Sequence, residues 1–241
     1  MIVVLPQSNG SVNLSKKDLV MKQIIKSIAE GRYKIGEKLP PERALAEQYG
    51  ISRIIVHSAI VELHAKGLLI IAPRKGITVA DYKRHGNIDL LEIILTASED
   101  QDNDLLISLL DTRLLLEKEF AALASVNRNE QNIKNLQSII KKEEKALDIE
   151  ARVEYDFALH HEIAHASANT IYPLLIKSME HTYKRLIREF YTEVADTSAV
   201  VSKHKALLEA VIGKNPSVAS NVMSELLEEG ASYIKSRHGL K

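Results

Sequence analysis

Between Lys16 and Glu30, Leu19, Ile24, Ile25 and Ile28 recur at mainly helical intervals, and Gly31 follows as a stop. A second helical stretch can open at Pro40-Pro41, carries Leu45, Ala46 and Tyr49, and ends at Gly50. A third, "ISRIIVHSAIVELHAKG", begins at about Ser52, whose hydroxyl suits an N-cap. Two helices joined by a turn containing glycine predict a helix-turn-helix. The period then changes. "LLIIAPRKGITVADY" holds two β-rich runs around Pro73-Arg74-Lys75-Gly76, which predicts a hairpin with a cationic tip. Together these elements predict a winged helix-turn-helix.

Beyond it, "DYKRHGNIDLLEIILTASEDQDND" begins as a polar connection and ends in an acidic run. Helical patterns then follow one another, broken at Asn127-Arg128-Asn129, at Asn169-Thr170 before Pro173, and from Gly213 to Pro216. There is no strand pattern and no internal repeat. The expected fold class is mainly α: a winged helix-turn-helix over residues 1–85, then an all-helical bundle over residues 86–241.

Composition adds exclusions. The chain has no cysteine, which removes disulfides and thiolate metal sites. The opening "MIVVLPQSNG" is short and lacks the basic start of a signal peptide, and no apolar run is long enough to span a bilayer. A cytoplasmic protein with no membrane partner is expected. The net charge of zero hides an asymmetry: residues 1–85 carry 14 Lys/Arg against 7 Asp/Glu, and residues 86–241 carry 18 against 25. A basic head on an acidic body suggests that the head alone meets a polyanion. Double-stranded DNA suits the layout, because the second motif helix can enter a major groove N-terminus first. Ser52 and Arg53 stand at its start. Arg53 could fork onto a guanine edge, while Arg43, Arg74 and Lys75 could hold phosphates or reach a minor groove. The alternative is a winged helix used for protein contacts.

The stretch "YDFALHHEIAHASAN" contains two metal-like patterns. His161-Glu162-Ile163-Ala164-His165 reads as the H-E-x-x-H of zinc proteases. Asp156 and His160 form another pair at the same spacing. At about 100° per residue they cannot share a face. Asp156 and His160 fall at the centre of the apolar arc of Val153, Phe157, Ile163 and Ala164, which puts His161 and His165 toward solvent and disfavours the protease. His204 repeats the pattern among Val200, Val201, Leu207, Leu208 and Val211. Three donors aimed at one core suit a divalent metal such as zinc, nickel or manganese, with positions left for water or ligand. The alternative is an Asp156–His160 hydrogen bond with His204 satisfied elsewhere. Arg113 shares the apolar face of Leu106, Leu109, Leu110 and Phe120, where a guanidinium needs an anion. That anion is either Glu117, one turn on, or the carboxylate of an effector beside the metal. A metal-dependent enzyme using Asp156, His160 and His204 is the alternative of another class, but no nucleophile constellation or base is evident beside them.

The head resembles the DNA-binding domain of GntR-family bacterial transcription regulators. The resemblance lies in "KLPPERALAEQYGISRIIVHSAIVELHAKGLL" and the later "GITV". It implies DNA contacts from Arg43, Ser52, Arg53 and the wing around Gly76. His57 stands where the family usually has arginine, and Ile54 and Ile55 replace common threonines. "LLDTRLLLEKEFAALA", "DFALHHEIAHASAN" and "KHKALLEAV" are similar to the FCD effector domain of the FadR-like subfamily. Many such domains bind a metal through one Asp and three His and sense small carboxylates. Asp156, His160 and His204 match three of those ligands, and Leu226 falls at the fourth. The segment from Ala166 to Tyr191 also resembles fatty-acid-responsive members, which sense acyl-CoA without a metal. These resemblances imply a homodimeric transcription regulator on an inverted-repeat operator, controlled by a small-molecule effector and without enzymatic activity.

Overall fold

The computed structural model describes residues 15–97, 103–193 and 197–240. The chain divides into two compact units, Met1–Asp102 and Asn103–Lys241.

In the first unit, α1 (Lys16–Ala29) is opened by a capping box between Ser15 and Asp18. Helix α2 (Glu42–Tyr49) ends at Gly50 in the left-handed conformation, and α3 (Arg53–Ala65) starts at Ser52, whose hydroxyl accepts from the Ile55 amide. Strands β1 (Leu69–Ala72) and β2 (Gly76–Val79) pair antiparallel in the register Leu69↔Val79 to Ala72↔Gly76. On its other edge β2 meets Lys38 through an isolated bridge to Thr78. Val20, Ile24, Leu45, Val56, Ile60, Leu63, Leu69 and Val79 fill the core between helices and hairpin.

The region after Asp81 corrects the polar connection expected there. It forms α4 (Tyr82–His85) and α5 (Ile88–Ala97). Leu90 of α5 enters the same core, and Ile93 and Ile94 pack against it. The compact unit therefore extends past the division expected at residue 85. This also redistributes charge: residues 1–102 carry 14 Lys/Arg against 12 Asp/Glu, so the positive excess belongs to the part before α5. Gly67 makes this packing possible. Its φ is +81°, and a Cβ there would lie 2.1 Å from the His85 carbonyl oxygen at the end of α4.

The second unit is helical throughout the described residues: α6 (Asn103–Asn127), α7 (Glu130–Glu143), α8 (Ile149–Ala166), α9 (Tyr172–Ser178), α10 (Glu180–Glu193), α11 (Ser198–Ile212) and α12 (Pro216–Arg237). Polar caps mark two of the expected breaks, at Asn129 and Asn215, and a further one at Asp148 that was not expected. Asn129 caps α7, Asp148 caps α8, and Asn215 caps α12 ahead of Pro216. Helix α8 is the central element, packed against α6, α7, α9 and α10, while α12 runs along α6 and α11.

Candidate functional site

In the first unit the exposed side of α3 carries Arg53, Ile54, His57, Ser58 and Val61. The Glu42 carboxylate at the start of α2 organises its N-terminal end. One oxygen accepts from Arg53 Nε at 3.1 Å, and the other lies 2.7 Å from His57 Nδ1. The bond from His57 holds the Glu42 carboxyl below the usual range, against the opposing effect of burial, with Arg53 adding to the shift. Arg53 is engaged through Nε, and its side chain is otherwise largely exposed. Arg43 pairs with Glu47 one turn on and is largely exposed. Arg74, Lys75 and Gly76 form the exposed hairpin tip, where Arg74 (φ 63°) and Gly76 (φ 96°) take the left-handed region. Ser52 acts on the backbone as the α3 cap. Sequence reasoning missed Glu42, although its place one residue inside the helix start made it a reachable partner for the next helix.

In the second unit, Asp156, His160 and His204 each bring a donor atom to one buried point, all within 4.8 Å of one another. They line a cavity of about 60 Å³ together with Arg113, Leu226 and Phe190. Both imidazoles are held from behind by buried carboxylates. His204 Nδ1 lies 2.9 and 3.0 Å from the two oxygens of Glu143. His160 Nδ1 contacts Glu117 Oε2 in a short hydrogen bond. With each Nδ1 donating, each Nε2 is left with its lone pair toward the cavity. The simple Asp156–His160 hydrogen bond is absent, since His160 Nε2 stands 3.6 Å from Asp156 Oδ1. Among the described residues, His204 Nε2 is buried with no hydrogen-bond partner.

A second layer fixes this arrangement. Tyr191 Oη lies 2.9 Å from Asp156 Oδ2 and 3.3 Å from Glu143 Oε1, and its one proton serves one of them at a time. Arg113 donates Nε to Glu117 Oε1 at 2.9 Å, and its guanidinium lies 4.2 Å from the centre of the Tyr183 ring. Burial alone would raise the pKa of Glu117, but the Arg113 and His160 charges and hydrogen bonds prevail and hold it at about 2. Burial would lower the pKa of His204, yet Glu143 and Asp156 raise it. Formally, three carboxyl groups (Glu117, Glu143, Asp156) face one guanidinium. A metal holding the two imidazoles in their neutral form would leave those carboxylates in excess in a buried place, and its own divalent charge would offset them. The donor set and the orphaned nitrogen fit such an ion.

The H-E-x-x-H residues take no part in the cavity lining. Their face is less open than the helical wheel predicts: His165 is exposed, but His161 and Glu162 are half-buried. The reason is α7, from which Asn132 and Asn135 both donate to Glu162, and His161 stacks on Phe157. Glu143 and Tyr191 escaped sequence reasoning. Glu143 continues the buried face of Leu136 and Ile140 at helical spacing, a signal masked by its setting in "KKEEK". Leu226, on α12, reaches the cavity wall beside the donors.

A winged helix-turn-helix joined to a helical domain with a buried donor cluster defines the class of ligand-responsive DNA-binding regulators. The sequence pattern of the bacterial regulatory proteins of the gntR family matches residues 16–79, and that of the FCD domain matches residues 108–229. The chain belongs to the gntR family and is a transcription regulator with an FCD effector-binding domain. It is 28% identical to the HTH-type transcriptional regulator Mce2R of Mycobacterium tuberculosis over 215 residues, 87% of each chain. It is 27% identical to a fatty acid metabolism regulator protein of Shewanella pealeana over 194 residues, 80% of each chain. Among solved structures, Lar, described as controlling the expression of the Listeria monocytogenes agr system, superposes with a TM-score of 0.65 at 16% identity. That match covers 94% of this chain and 99% of the other, and it bears on the fold alone. Among the described residues no helix is long and apolar enough to cross a membrane.

Proposed function

We propose that this regulator binds an inverted-repeat operator as a homodimer in the cytoplasm, and that a small carboxylate bound at a metal in the helical domain sets its DNA affinity. Asp156, His160 and His204 would hold the metal, and Arg113, kept in place by Glu117 and Tyr183, would meet the anionic effector. Bound there, a divalent ion would supply positive charge and open positions for an oxygen ligand. The observation that carries this reading is the pair of imidazoles whose Nδ1 atoms are anchored on buried carboxylates, with His204 Nε2 left without a partner among the described residues. Glu117 and Glu143 fix tautomer and ring direction, a role that outer carboxylates commonly play at metal histidines. Leu226 offers no donor at the remaining side, which leaves room for water or an effector oxygen. On the DNA side, Arg53 and His57 would face base edges from the start of α3, and Arg43, Ser52, Arg74, Lys75 and Gly76 would meet the backbone or the minor groove. To act as a switch, the effector must bind the DNA-competent and incompetent states unequally.

Native mass spectrometry of freshly purified protein tests this reading. A dimer retaining metal, with or without a small acid, is the expected result. A metal-free monomer that stays metal-free after incubation with zinc, nickel and manganese would contradict it.

The relatives named as fatty acid metabolism regulators favour a second reading, a metal-free response to acyl-CoA. The cavity of about 60 Å³ has room for a few waters, at about 10–15 Å³ each on the same measure, and falls short of an acyl chain. Such a ligand would have to part α6 and α12 at Leu110, Leu227 and Ala231, where a larger surface groove adjoins the cavity. Metal-independent binding of an acyl-CoA that releases DNA would establish it over the first.

A further inference from the structure

The groove-reading helix points an aliphatic residue outward. On α3 the buried positions are Val56, Ala59, Ile60 and Leu63. Taking about 100° per residue, Ile54 falls roughly opposite their mean direction, with Val61 and Ser58 close beside it. Ile54 is 81% exposed and Val61 44% exposed. Arg53 and His57 lie on the flank toward α2, where Glu42 holds both. The helix therefore presents two parallel edges: a polar one drawn toward Glu42, and an aliphatic one that stands farthest from the domain core. Single exposed apolar side chains are common and need no cause. Here two occur seven residues apart on the outermost line of the helix, and the first lies in the turn that comes nearest the bases in this motif.

We infer that Ile54 is a specificity determinant that reads the 5-methyl group of a thymine in each half-site. The floor of the major groove offers hydrogen-bonding groups at every base, but one apolar group, the thymine methyl. An isoleucine over any other base would bury polar edges without satisfying them, which is unfavourable. Over thymine it exchanges two exposed apolar surfaces for one contact. The polar edge of Arg53 and His57 would read the neighbouring pair, so that the two edges of the helix specify different bases. The inference rests on the DNA-reading role of α3.

The test begins by selecting binding sequences for the full-length protein from a random duplex library. Each thymine of the selected half-site is then replaced by deoxyuridine, which removes only the methyl group. Wild type should lose about fourfold in affinity per half-site at one thymine position, the effect of one buried methyl. Ile54→Ala should bind the thymine and uracil duplexes alike, with an unchanged melting temperature because the residue is exposed. Ile54→Thr should relax the choice of base at the same position in a repeated selection. Selective binding by wild type that is indifferent to uracil at every position would overturn the inference while leaving the DNA-reading role intact. Failure to select any sequence would overturn both.

Discussion

Glu143 has no exposed atom to spare and no part in the cavity lining, yet its two oxygens determine which nitrogen His204 turns toward Asp156. Glu143→Gln keeps the size but can present an amide to His204 Nδ1, which favours the wrong tautomer. Metal affinity should fall about 10- to 100-fold, the usual effect of losing such an outer partner, and isothermal calorimetry with zinc would measure it. Leu226→His should act in the opposite direction, since it places an imidazole in the wall of the same cavity. An unchanged affinity in that variant would mean that α12 holds residue 226 out of reach. His161→Ala with His165→Ala should leave metal binding intact, because neither residue lines the cavity. At this scale the sequence disclosed Asp156, His160 and His204 through their apolar neighbours. It concealed Glu143 and Tyr191, since a glutamate in a lysine-rich run and a tyrosine on an amphipathic helix both resemble surface or packing residues.

Helix α8 shows why a wheel works only partly. Neighbours on four sides bury most of its circumference, so even the flank carrying Glu162 is met by α7, and only the line of Glu154 and His165 is left open. Periodicity ranks the sides of such a helix, but it cannot say that the least apolar side is free. In the head, the punctuation of the chain was easier to read: Gly50, Ser52 and the turn from Pro73 to Gly76 set the ends of α2, α3 and the hairpin. Helix α5 was missed because its aliphatic run sits between polar segments and its partner, the α1 face, is distant in sequence. Arg53→Ala should cost specific operator binding about 1–3 kcal/mol at fixed salt, with no change in helix content by circular dichroism. An unaltered affinity would place the base contact elsewhere. Gly67→Ala should destabilise the head by about 2 kcal/mol or more, since it adds a left-handed alanine to a clash with the His85 carbonyl. Thermal melting of the full chain would register it, and a silent substitution would mean that α4 can withdraw at little cost.

For the whole molecule, the balanced net charge conceals a basic segment that ends before α5 and an acidic remainder. DNA affinity should therefore fall steeply with salt through the head alone. The buried excess of carboxyl groups in the helical domain gives a second global property. An ion that binds the folded domain and not the unfolded chain stabilises it by about 2.7 kcal/mol at a hundredfold excess over its dissociation constant. In a domain of this size that raises the melting temperature by roughly 2–4 °C per kcal/mol, and a chelator should reverse it. The most direct measurement is the metal content of the full-length protein, purified without chelator and again after exposure to zinc, nickel or manganese followed by desalting. About one ion per chain is expected, lost in His204→Ala and bound more tightly in Leu226→His. Absence of metal from every wild-type preparation would contradict it, and the cavity would then belong to a metal-free organic anion.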